Sequence, residues 1–275
     1  MLVSNNLQLI CFLIAGAFYA STSFAADVAL DVGHSIKRAG ATSASGAKEF
    51  DLNKALAHDV ATHLSNADIS NHFIGDDGKM DVLTNRTLAA VDDKLFLSIH
   101  HDSIMQSWMP RAKDYSGFSV FVSRKNKQVA TSLSCASKIG AALINAGFKP
   151  SRYHALPVEG QNRPFADEAN GVHYFDDLIV LKTAKQPAVL VEAGVIVNSE
   201  DEARVTSTAG RQKYSAAISA GLAACLPDLI IVELKSTTRE DSKKRWNFKA
   251  YKWASSQFYV YDWFWECVNN LVSIS

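Results

Sequence analysis

The chain has no excess of either charge: 28 Lys and Arg stand against 28 Asp and Glu in 275 residues. That balance excludes the general electrostatic pull needed for non-specific binding to nucleic acid or to an anionic membrane. Cysteine is scarce, at four residues, with no CxxC or similar spacing, which excludes a zinc–thiolate cluster. Proline is rare, at six residues, and there is no internal repeat or low-complexity stretch. Collagen, disordered tracts, coiled coils and multi-span membrane proteins are excluded on the same grounds. Apolar residues make up 48% of the chain and charged residues 20%, a balance that suits one globular domain with an appendage.

The first 25 residues stand apart. Leu7 to Ala20 (LQLICFLIAGAFYA) is an uncharged apolar run, followed by Ser21-Thr-Ser-Phe-Ala25 and Ala26-Asp27. An apolar run ending in small residues, with Ser23-x-Ala25 before the cut, is the pattern of a secretory signal peptide, here without the usual preceding Lys or Arg. An uncleaved anchor needs ~20 apolar residues, and this run is shorter. The expectation is removal of residues 1–25 on export to the periplasm or beyond, leaving a neutral mature chain with no integral membrane span. Cys11 leaves with the signal, and Cys135, Cys225 and Cys267 remain. One pair can bridge in an oxidising compartment, but the sequence does not choose it. Cys135 and Cys225 read equally well as small buried hydrophobes.

The mature chain alternates strand and helix patterns. Val28–Asp31 (VALD) is a strand that stops at Gly33-His34, and the polar segment from Ser35 to Ala47 is loop. From Glu49, apolar residues recur at Leu52, Leu56, Val60 and Leu64, one face of a helix. Leu95–Ile99 (LFLSI) is a strand ending at His100-His101, Gly117–Ser123 is another, and Lys127 to Ala146 has helical spacing. Ser151 to Asp176 shows no sustained period and reads as a long loop with a binding role. Pro187–Val191 is a strand ending at Glu192, and Ser199-Glu-Asp-Glu202 matches a capping box for a helix running toward Leu222. This alternation implies an α/β fold, a mainly parallel sheet flanked by helices, with ligands beyond the carboxyl ends of the strands. Residues 26–226 form the expected catalytic domain. From 227 to 275 the chain becomes a charged, then aromatic tail that holds four of the five Trp between Trp246 and Trp265.

Three strands in this reading end in metal-binding types: His34, His100 and Glu192. Glu49 heads the first helix. A catalytic zinc takes three protein ligands from imidazole nitrogen and carboxylate oxygen, and a further carboxylate is needed to move a proton between water and a leaving amine. Each residue also has a plainer reading. A lone His at a strand end is more often hydrogen-bonded structure. Glu49 could simply be an acid favoured in a first helical turn, and Glu192 a buried partner of an Arg or Lys.

Their local wording decides between the two. Asp31-Val-Gly-His-Ser35, Gly40-Ala-Thr42, Gly46-x-x-Glu49-Phe50-x-x-Asn53, Leu97-Ser-Ile-His-His-Asp102 and Val189-Leu-Val-Glu-Ala-Gly194 with Asn198 occur in that order. The sequence from Val28 to Leu226 thus resembles the zinc-dependent N-acetylmuramoyl-L-alanine amidases of the bacterial cell-wall amidase family (the Amidase_3 type). The resemblance implies that His34, Glu49 and His100 hold one Zn²⁺ per chain and that Glu192 is the catalytic carboxylate. It implies hydrolysis of the amide between the lactyl group of N-acetylmuramic acid and the L-alanine of peptidoglycan or muropeptide stems. Val32 stands where the family usually has Pro, which touches the stiffness of the loop and not the ligand. Asn53, one helical turn after Glu49, is placed to orient that carboxylate.

His101 is expected at the rim of the site or against substrate, with a core or surface position close behind. It cannot face the metal together with His100 if the strand continues that far. His58, His63 and His72 are expected at the surface, whereas the role of His154 and His173 in the long loop stays open. Some family members carry a long inserted helical plug that a partner removes. This chain has no room for one, although the resemblance leaves open a protein activator. Two other readings stay in view: a zinc peptidase acting within the stem peptide, and a non-catalytic wall-binding protein.

Overall fold

The computed structural model describes the backbone of residues 25–251 and the side-chain surroundings of residues 25–229. The expected signal peptide, Cys267 and the aromatic end of the tail lie outside the described residues. The chain divides into a unit ending at Pro227 and a second beginning at Asp228. In the first unit, strands β1 (Val28–Val32), β2 (Asn71–Ile74), β3 (Leu95–Asp102), β4 (Ser119–Val122), β5 (Phe165–Asp167), β6 (Val172–Tyr174) and β7 (Ala188–Val195) form one sheet. Their order is β2-β1-β3-β7-β4-β6-β5. The β4–β7 and β5–β6 pairings are antiparallel, and the other four are parallel.

The central strands are buried along nearly their whole length, as a parallel sheet covered on both faces requires. Helix α1 (Glu49–Asn66) packs on β1 and β3, and α3 (Val129–Asn145) packs on β4 and β7. The opposite face, with Ala29, Phe96, Phe121, Ala188 and Leu190, is capped by α4 (Ile179–Thr183) through Val180 and Leu181. The short α2 (Leu83–Ala89) lies beside α4. Helices α5 (Ser199–Thr206) and α6 (Thr208–Tyr251) follow β7. Among the described residues no helix is long and apolar enough to cross a membrane.

The expected α/β class and mainly parallel sheet stand, with three local corrections. Residues 151–176 are not one loop: they hold a 3-10 turn (Tyr153–Ala155), the edge strand β5 and its neighbour β6. Strands of three residues are too short to show a period. The helix after β7 is capped by Asn198, whose side chain accepts from the backbone of Glu200 and Asp201, so Ser199 is already inside it. It ends at Thr206, and α6 begins at Thr208 and carries Pro227 within it. Finally, β3 and β7 run on past His100 and Glu192. That extension decides which way their side chains point.

Candidate active site

Immediately after β1 the chain turns through Gly33 into His34, whose φ is +69°. A Cβ on Gly33 would lie 2.3 Å from Nε2 of His100, so only glycine lets the backbone pass over that ring. Arg86 holds the turn in place, its side chain 2% exposed. Nη1 donates to Asp31 Oδ1 and to the Val32 carbonyl, both at 2.6 Å; Nε and Nη2 donate to the Met80 carbonyl at 3.1 and 2.7 Å; and Nη2 also reaches the His34 carbonyl. All five guanidinium donors are used. Sequence reading missed this residue. Its one sign was Asp31 inside an apolar strand, since a buried carboxylate needs a partner.

Glu49 opens α1 beneath the same turn and is buried. Its Oε2 accepts from the backbone N–H of Ala41 at 2.9 Å, which leaves Oε1 toward the histidines. His34 Nε2 lies 3.0 Å and His100 Nδ1 3.1 Å from that one oxygen. The three donor atoms lie within 4.8 Å of one another, and the rings meet edge-on with centroids 4.9 Å apart. Burial alone would raise the Glu49 carboxyl, but the hydrogen bonds and charges of His100 and His34 outweigh it and hold the group far below the usual carboxylate range. Two imidazole nitrogens and a carboxylate oxygen converging on one point repel unless a proton or a cation stands between them. Tetrahedral zinc ligands lie roughly 3.4 Å apart, so the donor set and spacing suit that ion. A cavity of about 290 Å³ opens beside His34 and His100, lined also by Arg38, Asp81 and Leu178.

His100 and Glu192 are register partners on the parallel strands β3 and β7, so both side chains project to the same face, about 4.8 Å apart at the backbone. Oε2 of Glu192 is buried and has no hydrogen-bond partner among the described residues. Burial pushes the Glu192 carboxyl well above the carboxylate range, the charges of Asp102 and Glu49 add to this, and Arg163 opposes it. A buried carboxyl with its pKa raised in this way, beside the His34–Glu49–His100 cluster, is suited to proton transfer.

His101 corrects the rim expectation. Because β3 continues through it, its side chain takes the opposite face, where it is 2% exposed and its Nδ1 donates to Asn53 Oδ1 at 2.8 Å. Burial takes its pKa down to about 4. Asn53 in turn donates to Glu49 Oε1 at 3.4 Å and to the Gly33 carbonyl at 3.2 Å, the orienting place expected of it. His58 is a surface residue as expected, whereas His63 and His72 are half-buried. His154 and His173 are both buried, on the face where Glu192 stands, through contacts with Phe121. Two of the remaining cysteines, Cys135 and Cys225, form a disulfide.

Residues 28–224 match the sequence profile of the family described as N-acetylmuramoyl-L-alanine amidase. No curated protein sequence matches the chain. Among solved structures it is similar to the N-acetylmuramyl-L-alanine amidase Ami1 of Mycobacterium smegmatis, with 23% identity over 73% of this chain and 96% of that one and a TM-score of 0.61. It is similar also to the N-acetylmuramoyl-L-alanine amidase of Clostridium difficile 630, with 19% identity, coverage of 74% and 98%, and a TM-score of 0.60. The CwlD amidase of Clostridioides difficile, solved in complex with the GerS lipoprotein, has 20% identity, coverage of 74% and 98%, and a TM-score of 0.57. At these identities the likenesses concern the fold.

Proposed function

The chain belongs to the N-acetylmuramoyl-L-alanine amidase family, and from that premise we propose that His34, Glu49 and His100 hold one Zn²⁺ while Glu192 moves the proton in catalysis. Its reaction is hydrolysis of the amide that joins the lactyl group of N-acetylmuramic acid to L-alanine. Zinc, when bound, supplies a Lewis acid that polarises the scissile carbonyl and makes water more acidic. The protein's own part lies in positioning and proton transfer. Ala41 fixes one oxygen of Glu49 so that the other faces His34 and His100. Glu192 accepts the proton of the attacking water as the carbon–oxygen bond forms. It delivers that proton to the amine nitrogen as the carbon–nitrogen bond breaks. The products are a free lactyl carboxyl group and a peptide that begins with L-alanine.

The observation that carries this reading is the meeting of His34 Nε2 and His100 Nδ1 on Oε1 of Glu49. It is tested by zinc content of wild type, His34→Ala and Glu192→Gln, measured beside release of peptides with a new L-alanine N-terminus from peptidoglycan. The expected result is about one zinc in wild type and in Glu192→Gln, and none in His34→Ala. Peptide release should stop with a chelator and fall ~10²–10⁴-fold in Glu192→Gln. Undiminished release in Glu192→Gln would take the proton-transfer role from that residue. Zinc-free wild type with full activity would remove the metal.

Membership of a cell-wall amidase family agrees with a place outside the cytoplasmic membrane. The finer reading, cleavage after Ala25 and work in the periplasm, is supported by the apolar run from Leu7 to Ala20. Residues 26–226 as the catalytic domain are supported by the family match and by the unit boundary after Pro227. The complex of the clostridial CwlD amidase with a lipoprotein supports a protein activator for this chain as well.

A further inference from the structure

Arg163 stands in the segment between the 3-10 turn and β5, on the sheet face that carries Glu192. On the antiparallel neighbours β7 and β4, Glu192 pairs with Ser119 and Leu190 with Phe121, so these four side chains share one face. The guanidinium carbon of Arg163 lies 5.9 Å from the centre of the Phe121 ring and 4.1 Å from that of Phe175. Phe121 is two residues along β4 from the partner of Glu192, a separation of ~7 Å.

Arg163 is half-buried and, among the described residues, has no carboxylate within ion-pair distance. Its Nη1 donates to His154 Nδ1 at 2.8 Å and to Gln161 Oε1 at 3.1 Å, and its Nη2 to the Gly160 carbonyl at 3.3 Å. A guanidinium has five N–H groups. Nε–H and one N–H of Nη2 therefore have no acceptor among the described residues. Nε and Nη2 form one edge of the fork with which arginine grips a carboxylate through two parallel bonds.

The fork is held from behind. His154 is 3% exposed. Its Nε2 donates to Asp102 Oδ2 at 2.7 Å, and its Nδ1 lies 2.8 Å from both Arg163 Nη1 and Gln161 Oε1. The Tyr153 hydroxyl donates to the same oxygen. Asp102 is thereby engaged by His154 and Tyr153 and does not neutralise Arg163 directly. It also lies two residues beyond His100 on β3. The chain Asp102–His154–Arg163 fixes the guanidinium to the strand that bears one of the proposed metal ligands.

We propose that Arg163 determines specificity by binding a carboxylate of the stem peptide, the α-carboxylate of the residue that follows L-alanine. This rests on the amidase reading above. In peptidoglycan that residue is a glutamate linked through its side chain, so its α-carboxyl group is free in some walls and amidated in others. From the scissile nitrogen to that group an extended peptide spans roughly 6 Å, and Arg163 stands near enough to Glu192 for their charges to interact.

The test compares kcat/KM of the zinc-loaded full-length protein on two soluble disaccharide–peptide fragments that differ only in that group, carboxylate against carboxamide. Wild type should favour the carboxylate by about 10-fold or more, mainly through KM, the scale of a charge-assisted bond pair. Arg163→Gln should abolish the preference, and Arg163→Lys should keep part of it. Cleavage of both fragments with equal efficiency leaves the amidase reading standing and overturns this one, with no variant needed. A preference that survives Arg163→Gln overturns it too. If wild type cleaves neither fragment at the lactyl amide, the amidase reading falls and takes this proposal with it.

Discussion

At Glu49 the two carboxylate oxygens face different neighbours, and the difference comes from one backbone N–H. Oε2 is occupied by Ala41, so the side chain cannot rotate to present either oxygen equally, and Oε1 alone meets His34 and His100. Asn53 adds a second restraint through Oε1 and the Gly33 carbonyl, and is itself held by neutral His101. Gly33 is where this arrangement is most exposed to mutation. In Gly33→Ala the new Cβ would sit 2.3 Å from the His100 ring, so the imidazole must move. Displacing a ligand or its support costs about 10–100-fold in metal affinity. Zinc affinity measured by chelator competition should fall by that factor while the far-ultraviolet dichroism stays that of wild type. Unchanged affinity would show that His100 has room to yield.

At the scale of elements, the disulfide joins helices from distant parts of the chain. Cys135 lies in α3 and Cys225 in α6, 90 residues apart with Cα atoms 5.0 Å from each other. The helices already pack closely there: a Cβ on Gly221 would meet Ile139 Cα at 2.5 Å. Closing so long a loop restricts the unfolded chain, a contribution of about 2–4 kcal/mol. Reduction, or Cys135→Ser with Cys225→Ser, should therefore lower the urea midpoint with little change in slope. The zinc content should be unaffected, since neither helix carries a proposed ligand. A midpoint insensitive to reductant would refute the stabilising role. The same pair shows what spacing along the chain leaves open, because three cysteines permit three pairings and only the packing of α3 against α6 selects one.

Over the whole molecule, a buried neutral histidine sets a direction for the dependence of stability on pH. His173, on β6, is fully buried between Phe121 and Phe165, its Nδ1 donating to the Arg163 carbonyl at 3.0 Å. Burial takes its pKa down to about 4 from 6.5. Above pH 6.5 it is neutral in both folded and unfolded chains and contributes no pH dependence. Between about 6.5 and 4 the unfolded chain binds the proton and the folded one does not, so stability falls as pH falls through that window. The loss from this one group approaches about 3 kcal/mol. Denaturant midpoints at pH 7.5 and 4.5 should differ for wild type, and His173→Phe should reduce the difference. An equal difference in both proteins would assign the effect elsewhere.

Much of the fold was readable because strands buried on both faces are continuous apolar runs and helices repeat their apolar face, so β1, β3, β7 and α1 announce themselves. The short strands β5 and β6 do not, since three residues carry no period, and the pairing that joins them to the sheet is with β4, far back along the chain. His34, Glu49, His100 and Glu192 were legible as chemical types in a recurrent local wording. Their convergence was expected only through the family resemblance; its physical cause, the parallel register that sets His100 beside Glu192 and the turn through Gly33 that brings His34 over Glu49, belongs to the tertiary structure. His101 shows the limit most plainly. It is as histidine-like in sequence as its neighbour, and only the continuation of β3 by two more residues, with side chains alternating across the sheet, sends it into the core while His100 faces the site. Arg86 and Arg163 were likewise two arginines among many until the fold engaged all the donors of one and left an edge of the other open. Residue types and their local order determined the class of chemistry this chain can perform. The tertiary structure decided which of those residues meet, because contacts between distant segments are set by strand register and packing, which no single segment encodes.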